Sequence, residues 1–190
     1  LHTDTWQANS GPDCLAWADF LTEPDDCPPE TSRWEEPAAI TYTGGTTGPA
    51  KGVMLSRRAF RASLEQYTQA GGEYGAGGEN LVLLPLFAAF GLCQCVHVPL
   101  CLGMGVILSP MFRSHQLGQL LQRYHPAQVS GTTAYWQLLL QDDWAAGADL
   151  SFLKVPRCGG DALSGALEDR IHAFLRQRGC PARLVKEYGM

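Results

Sequence analysis

From about residue 38 onward, short apolar runs alternate with longer stretches whose apolar positions recur every three or four residues. Residues 39–43 and 53–55 are apolar or β-branched runs on either side of a polar, glycine-rich segment, which reads as strand, loop, strand. Residues 55–70 set Ala59, Phe60, Ala62, Leu64 and Tyr67 among Arg57, Arg58, Arg61, Glu65 and Gln66. This spacing predicts an amphipathic helix with Ser56 as its N-cap and Gly71 and Gly72 at its end. Residues 80–84 read as a wholly apolar strand broken by Pro85. Residues 87–108 are the most hydrophobic part of the chain, but Gln94, His97, Pro99, Gly103 and Gly105 interrupt them too often for a membrane-spanning helix. A buried helix over 90–100 and a strand over 106–108 fit better.

The pattern continues with a helix over 115–124, where Leu117, Leu120, Leu121 and Tyr124 share a face and His125-Pro126 ends it. A strand over 127–130 and a helix over 132–140 follow, and Tyr135, Trp136, Leu138, Leu139 and Leu140 are read as core. Residues 154–158 form the next strand, Gly159-Gly160-Asp161 a turn, 163–178 a helix and 184–187 the start of a last strand. Strands alternating with helices at this spacing predict an α/β fold, a mostly parallel sheet flanked by helices on both faces. Ligands of such sheets sit outside the carboxyl ends of the strands. Residues 1–37, rich in Pro, Asp, Glu and Trp with a short helical pattern over 14–21, read as a connecting segment; 38–190 form the domain.

Composition narrows the function classes. The 190 residues are 45% hydrophobic and 17% charged, an ordinary globular balance without a bias to disorder. The net charge of -5 and the lack of any basic stripe argue against a nucleic-acid binder, so an anionic ligand must be held by a local site. The seven cysteines (Cys14, Cys27, Cys93, Cys95, Cys101, Cys158 and Cys180) are odd in number and irregularly spaced, which favours reduced core thiols and a cytoplasmic location. Cys93-Gln-Cys95-Val-His97 has no second ligand pair at zinc-like spacing, and His97 reads as a core or pocket-edge residue. No metal ligand is assigned within the chain. It opens at Leu1 with no basic and apolar leader to read.

The chemistry concentrates in the loop between the first two strands, where Thr43, Gly44, Gly45, Thr46, Thr47 and Gly48 precede Lys51. Glycines let backbone N–H groups turn toward a ligand, hydroxyls add donors, and a lysine supplies positive charge, which together suit a polyphosphate. The P-loop of nucleotide hydrolases is excluded. That loop needs Gly-Lys-[Ser/Thr] opening into a helix, whereas Ala50 precedes Lys51, Gly52 follows it and a strand comes next. The order Tyr-Thr-Gly-Gly-Thr-Thr-Gly-Pro-Ala-Lys-Gly-Val over 42–53 instead resembles the phosphate-binding loop of the adenylate-forming superfamily, the AMP-binding enzymes. Its Gly44 and Ala50 variants look most like bacterial fatty-acyl-CoA ligases. Leu-Pro-Leu-Phe-Ala-Ala-Phe-Gly over 84–91 resembles the family motif bordering the acyl pocket, and residues 129–135 resemble the segment entering the acyl-pocket helix. Cys-Gly-Gly-Asp-Ala-Leu over 158–163 resembles the segment against adenine, and Glu-Tyr-Gly-Met over 187–190 resembles the start of the motif whose tyrosine stacks on the base.

The resemblance implies ATP-dependent activation of a carboxylic acid, of fatty-acid type, to an acyl-adenylate, followed by transfer to CoA. Lys51, Thr46 and Thr47 would act on the phosphates as catalytic groups. Thr43, Gly44, Gly45, Gly48, Gly159, Gly160, Asp161, Tyr188 and Gly189 would complete the nucleotide site. Phe87, Ala88, Phe90, Gly91 and Met190 would border the acid. The implied cofactors are ATP and Mg²⁺, with CoA as second substrate, and the implied partner is the small C-terminal domain of the same polypeptide. The last four residues break off inside a motif, so the chain is expected to be an internal part of a longer protein. The magnesium-ligating glutamate is expected after Met190, and the fragment alone is expected to be inactive. Two other readings stay open: transfer of the acyl group to a carrier protein, as in peptide-synthetase adenylation, and a non-catalytic binding relative, against which the presence of Lys51 speaks. One departure concerns Ala88, which stands where the family usually has histidine.

Overall fold

The computed structural model describes residues 33–43, 48–69, 77–109, 116–141 and 147–189. Strands β1 (Pro37–Tyr42) and β2 (Gly52–Ser56) pair antiparallel, with Ala39 opposite Leu55 and Tyr42 opposite Gly52. Helix α1 (Arg57–Gln69) leaves β2 directly. The Ser56 hydroxyl accepts from the Ala59 N–H at 3.2 Å, which satisfies one of the free donors of the first turn as the sequence predicts. The inward stripe of α1 is Phe60, Ser63, Leu64 and Tyr67, whereas Ala59 and Ala62 are exposed. The glycines predicted to end this helix lie outside the described residues.

The second sheet has five parallel strands: β3 (Glu79–Val82), β4 (Gly105–Leu108), β5 (Gln128–Gly131), β6 (Val155–Cys158) and β7 (Val185–Lys186), in the order β4-β3-β5-β6-β7. The apolar run after β3 forms α2, a π-helix over Phe90–His97, which passes into α3 (Val98–Cys101). Pro99 lies in the first turn of α3, where a missing N–H costs little. Helices α4 (Leu117–Tyr124), α5 (Thr133–Gln141) and α6 (Gly165–Gln177) connect the later strands. His125 ends α4 in the left-handed region at φ 44°, its N–H donating to Leu121 O at 2.9 Å, and Pro126 prevents continuation.

Alternation along the strands sorts side chains between two layers. Leu81, Leu83, Val129 and Cys158 pack with Leu121 of α4, Trp136 and Leu139 of α5, and Leu167, Ile171, Phe174 and Leu175 of α6. Burying each such large apolar side chain contributes about 1.5–3 kcal/mol. On the opposite face Val82 and Leu84 pack with Cys95 and Phe90 of α2. The sheet is thus covered on both sides, and the crossovers from β3 and from β5 leave to opposite faces.

Two features depart from the sequence reading. The strand expected to be wholly apolar contains Asn80, fully buried, whose side-chain amide donates to Cys95 O at 2.6 Å. This bond ties β3 to the π-helix and replaces the hydration that burial removes. The predicted helix over 90–100 is one continuous rod, but its first two turns are wider than an α-helix.

Candidate functional site

The mouth of the β1–β2 loop is held by both of its ends. The Thr43 N–H donates to Lys51 O at 3.1 Å, and the Lys51 N–H donates to the Thr43 hydroxyl at 3.0 Å. Gly44, Gly45, Thr46 and Thr47 lie outside the described residues. Gly48 has open space where a side chain would begin. Lys51 is exposed, and its ammonium takes no part in the ion pairs among the described residues. A pinned mouth with an uncommitted lysine suits capture of an anion.

The other candidate residues gather at the carboxyl edge of the five-stranded sheet. Because β3 connects to β4 on one side and β5 to β6 on the other, the crevice of this fold falls between the ends of β3 and β5. Gly131 ends β5 and Thr132 follows it, and Gly159 and Gly160 follow β6. Gly160 adopts φ +81°, a conformation that disfavours any other residue, and its missing side chain leaves Thr132 Cγ2 at 3.8 Å and Phe90 Cδ1 at 3.9 Å. The Thr133 hydroxyl donates to Ala162 O at 3.1 Å, which joins the start of α5 to the turn after β6. Asp161 is exposed, and its carboxylate accepts from the Ala162 N–H at 2.7 Å. Phe90, Thr132, Gly159 and Gly160 are therefore assembled from three separated motifs. No hydrogen bond or ion pair among the described residues joins this group to Thr43 or Lys51.

Phe87 is 72% exposed and Tyr188 89% exposed, so both aromatic faces are presented to solvent. Gly91 is buried against the Pro85 carbonyl, and the Ala88 N–H donates to Pro85 O at 3.3 Å, which shapes the turn that carries Phe87 and Phe90. Gly189 is open, and Met190 lies outside the described residues. The void lined by Leu83, Leu117, Val129, Tyr135, Trp136 and Leu139 measures only about 10 Å³, room for one water, and belongs to the core.

Comparison with known proteins decides the family. The model of the AMP-binding enzyme family matches residues 2–190. This chain belongs to the AMP-binding enzymes. A 4-coumarate–CoA ligase 2 of Oryza sativa subsp. japonica is 28% identical over 184 residues, 93% of this chain and 31% of that protein. A long-chain-fatty-acid–CoA ligase of Haemophilus influenzae is 30% identical over 167 residues, 85% of this chain and 29% of the relative. In fold, the chain matches ATP-bound MatB from Rhodopseudomonas palustris with a TM-score of 0.71 at 22% identity, over 84% of this chain and 30% of that one. The chain thus spans less than a third of the length of these relatives.

Within this AMP-binding chain, the sequence reading missed a charged group beneath the carboxyl edge. Arg157, on β6, is 1% exposed, and its Nη1 is ion-paired with Glu187 Oε1. Its guanidinium carbon lies 4.0 Å from the centroid of the Tyr67 ring of α1. Burial pulls the Arg157 pKa down, and the Glu187 charge opposes that shift. Breaking a buried pair of this kind by removing one partner costs about 3–5 kcal/mol, because the other charge is left without compensation. The signal lay in the sequence as an arginine inside a strand predicted to be covered on both faces, where a charge needs a partner.

Burial disfavours the thiolate form of four cysteines. Burial pushes Cys95 up to about 12, with the Ser130 hydroxyl opposing and the Glu187 charge adding to the shift. Burial also raises Cys93, Cys158 and Cys180. These four thiols and the exposed Cys101 are free. His97 meets Phe60 edge-on at 4.8 Å between ring centroids, and burial lowers its pKa, the Phe60 backbone opposing. Among the described residues, no helix is long and apolar enough to cross a membrane.

Proposed function

We propose that this chain carries the nucleotide site and one wall of the acid site of an ATP-dependent acid–thiol ligase. In the first step a carboxylate oxygen attacks the α-phosphorus of ATP; the bond to the bridging oxygen breaks and pyrophosphate leaves with its charge. In the second, the CoA thiol sulfur attacks the acyl carbon, AMP departs and the thiol proton is released. A fatty acid is the favoured substrate, in keeping with the long-chain-fatty-acid–CoA ligase among the relatives.

The observation that carries this reading is the convergence of Phe90, Thr132, Gly159 and Gly160 at the switch point of the sheet, in a chain of this family. Gly160, at φ +81° and without a side chain, allows a flat base to approach the backbone, while the Phe90 ring takes the space beside Gly159. Tyr188 offers it an exposed ring, and stacking of this kind contributes about 1–3 kcal/mol. Asp161 and Gly189 border the same edge. Thr43, Gly44, Gly45, Thr46, Thr47, Gly48 and Lys51 would hold the triphosphate and take up charge on the leaving pyrophosphate. Mg²⁺ would accompany the triphosphate, and no group of this chain is assigned to it. Phe87, Ala88, Phe90, Gly91 and Met190 would face the acid.

Lys51→Ala in the complete protein tests the phosphate assignment. Acid-dependent exchange between ATP and pyrophosphate is expected to fall about a hundredfold or more while the melting temperature stays unchanged, since an exposed loop lysine packs against little. Exchange at the wild-type rate would remove Lys51 from the site. Replacing CoA by a phosphopantetheinylated carrier protein in the second half-reaction distinguishes thioester formation on CoA from loading of a carrier.

A further inference from the structure

Arg157 stands where an apolar residue would serve the core equally well or better, because burying a charged pair seldom adds net stability over well-packed hydrophobic side chains. What the pair adds is direction. The Arg157 main chain is fixed by the Trp136 indole N–H, which donates to Arg157 O at 2.9 Å, and its side chain lies against the Tyr67 ring. The guanidinium therefore has little freedom to follow its partner, and Glu187 must come to it. Glu187 is held a second time through its backbone, whose N–H donates to Cys158 O at 2.8 Å, and its carbonyl oxygen lies against Gly159. Tyr188 follows at once, and it makes no hydrogen bond or ring contact among the described residues. The main chain that carries the ring is thus anchored one residue before it, at Glu187.

We propose that Arg157 is a positioning residue that acts through Glu187 to aim the Tyr188 ring at the nucleotide base. The inference rests on the nucleotide-site reading above, and it adds a buried device that controls how well that site binds.

The test is steady-state kinetics of acid-dependent ATP–pyrophosphate exchange in the complete protein, comparing Arg157→Met, Arg157→Lys, Glu187→Gln, Tyr188→Ala and the double variant Arg157→Met with Tyr188→Ala. Arg157→Met and Glu187→Gln are expected to raise the KM for ATP about five- to tenfold while the KM for the acid stays within about twofold. Arg157→Lys, which keeps the charge, is expected to recover part of that loss. The double variant is expected to be no worse than Tyr188→Ala, because two lesions on one line of action do not add. If Tyr188→Ala raises the ATP KM and neither Arg157→Met nor Glu187→Gln does, the positioning role is overturned and the nucleotide site stands. An unchanged ATP KM in Tyr188→Ala overturns both. A fall in kcat with both KM values unchanged, or an additive double variant, assigns Arg157 to the scaffold and also overturns the proposal. Should Arg157→Met fail to fold, Arg157→Lys and Glu187→Gln decide on the same criteria.

Discussion

The ring edge of Phe90 lies 3.1 Å from the point where a side chain on Gly159 would begin. Phe90 comes from the π-helix after β3 and Gly159 from the turn after β6, so a missing side chain on one motif makes room for the aromatic of another. The Glu187 carbonyl oxygen is also within 3.2 Å of that point. A methyl group on Gly159 would therefore press on Phe90, proposed to face the acid, and on the segment leading to Tyr188 together.

Gly159→Ala is expected to cost about 1–3 kcal/mol of stability, the usual range for overpacking, and to lower adenylation more than tenfold through displacement of Phe90. Thermal melting and ATP–pyrophosphate exchange on the complete protein measure the two effects. Adding Phe90→Ala should return part of the stability lost to Gly159→Ala, since the ring is then no longer in the way. A Gly159→Ala protein indistinguishable from wild type on both measurements would falsify the contact.

Gly91 makes a harder demand. A side chain there would begin 2.3 Å from the Pro85 carbonyl oxygen, and that obstacle is backbone. Gly91→Ala must shift the start of the π-helix or the turn after β3, at an expected cost of about 3 kcal/mol or more. In a domain of this size that lowers the melting temperature by roughly 6–12 °C. A drop under about 2 °C would mean that the turn adjusts freely.

How much of this was legible in the sequence depends on what each residue type can signal alone. The order of strands and helices followed from hydrophobic period, and Ser56 as a cap followed from its place just before the charged helix. The faces of α1 did not follow, because Ala59 and Ala62 are small enough to sit in water at little cost while Ser63 finds the Gln94 amide at 2.7 Å. The 90–101 segment is apolar almost all round, so periodicity carried no mark of the wider helix. Asn80 and Arg157 were hidden for a related reason: their partners, Cys95 and Glu187, are fifteen and thirty residues away and are brought near only by the sheet. The glycine motifs at the site were legible as motifs, whereas the meeting of Phe90 with Gly159 required the strand order.

The thiols provide a check on burial that is independent of activity. Cys101 is exposed, whereas Cys93, Cys95, Cys158 and Cys180 are buried with raised pKa values, Cys95 the furthest at about 12. Among these five, Cys101 is expected to react with iodoacetamide at pH 8 at least about tenfold faster than the others, because the thiolate is the nucleophile. Mass-spectrometric mapping of the folded protein measures this. Alkaline pH gives the companion result. Cys95 holds its proton in the folded state above the ordinary 9.0, so the unfolded state loses a proton first, and stability falls as pH rises from 9.0 toward about 12. Cys95→Ala should flatten that decline, and an unchanged slope in chemical denaturation would place Cys95 in a wetter environment.

Ala88 carries the last prediction. Its N–H is bonded to Pro85 O, so its position is fixed by the same turn that sets Phe90, two residues on. The side chain is half-buried and a methyl group, at the position where the motif resemblance leads to the expectation of a histidine. Histidine there would add a ring and a hydrogen-bonding group at the proposed acid wall, two residues from Phe90. The imidazole of His97, on the helix that follows, packs edge-on against Phe60 of α1 and lies near Cys101, its Nε2 3.7 Å from the sulfur. Ala88→His in the complete protein is therefore expected to narrow the accepted acids toward straight chains, with kcat/KM for branched or bulky acids falling about tenfold and the KM for ATP within about twofold of wild type. The ATP value separates the alternatives: if it rises with the change in acid preference, the substitution has displaced Phe90 onto Gly159 and Gly160. An acid profile identical to that of the wild type would remove position 88 from the acid wall.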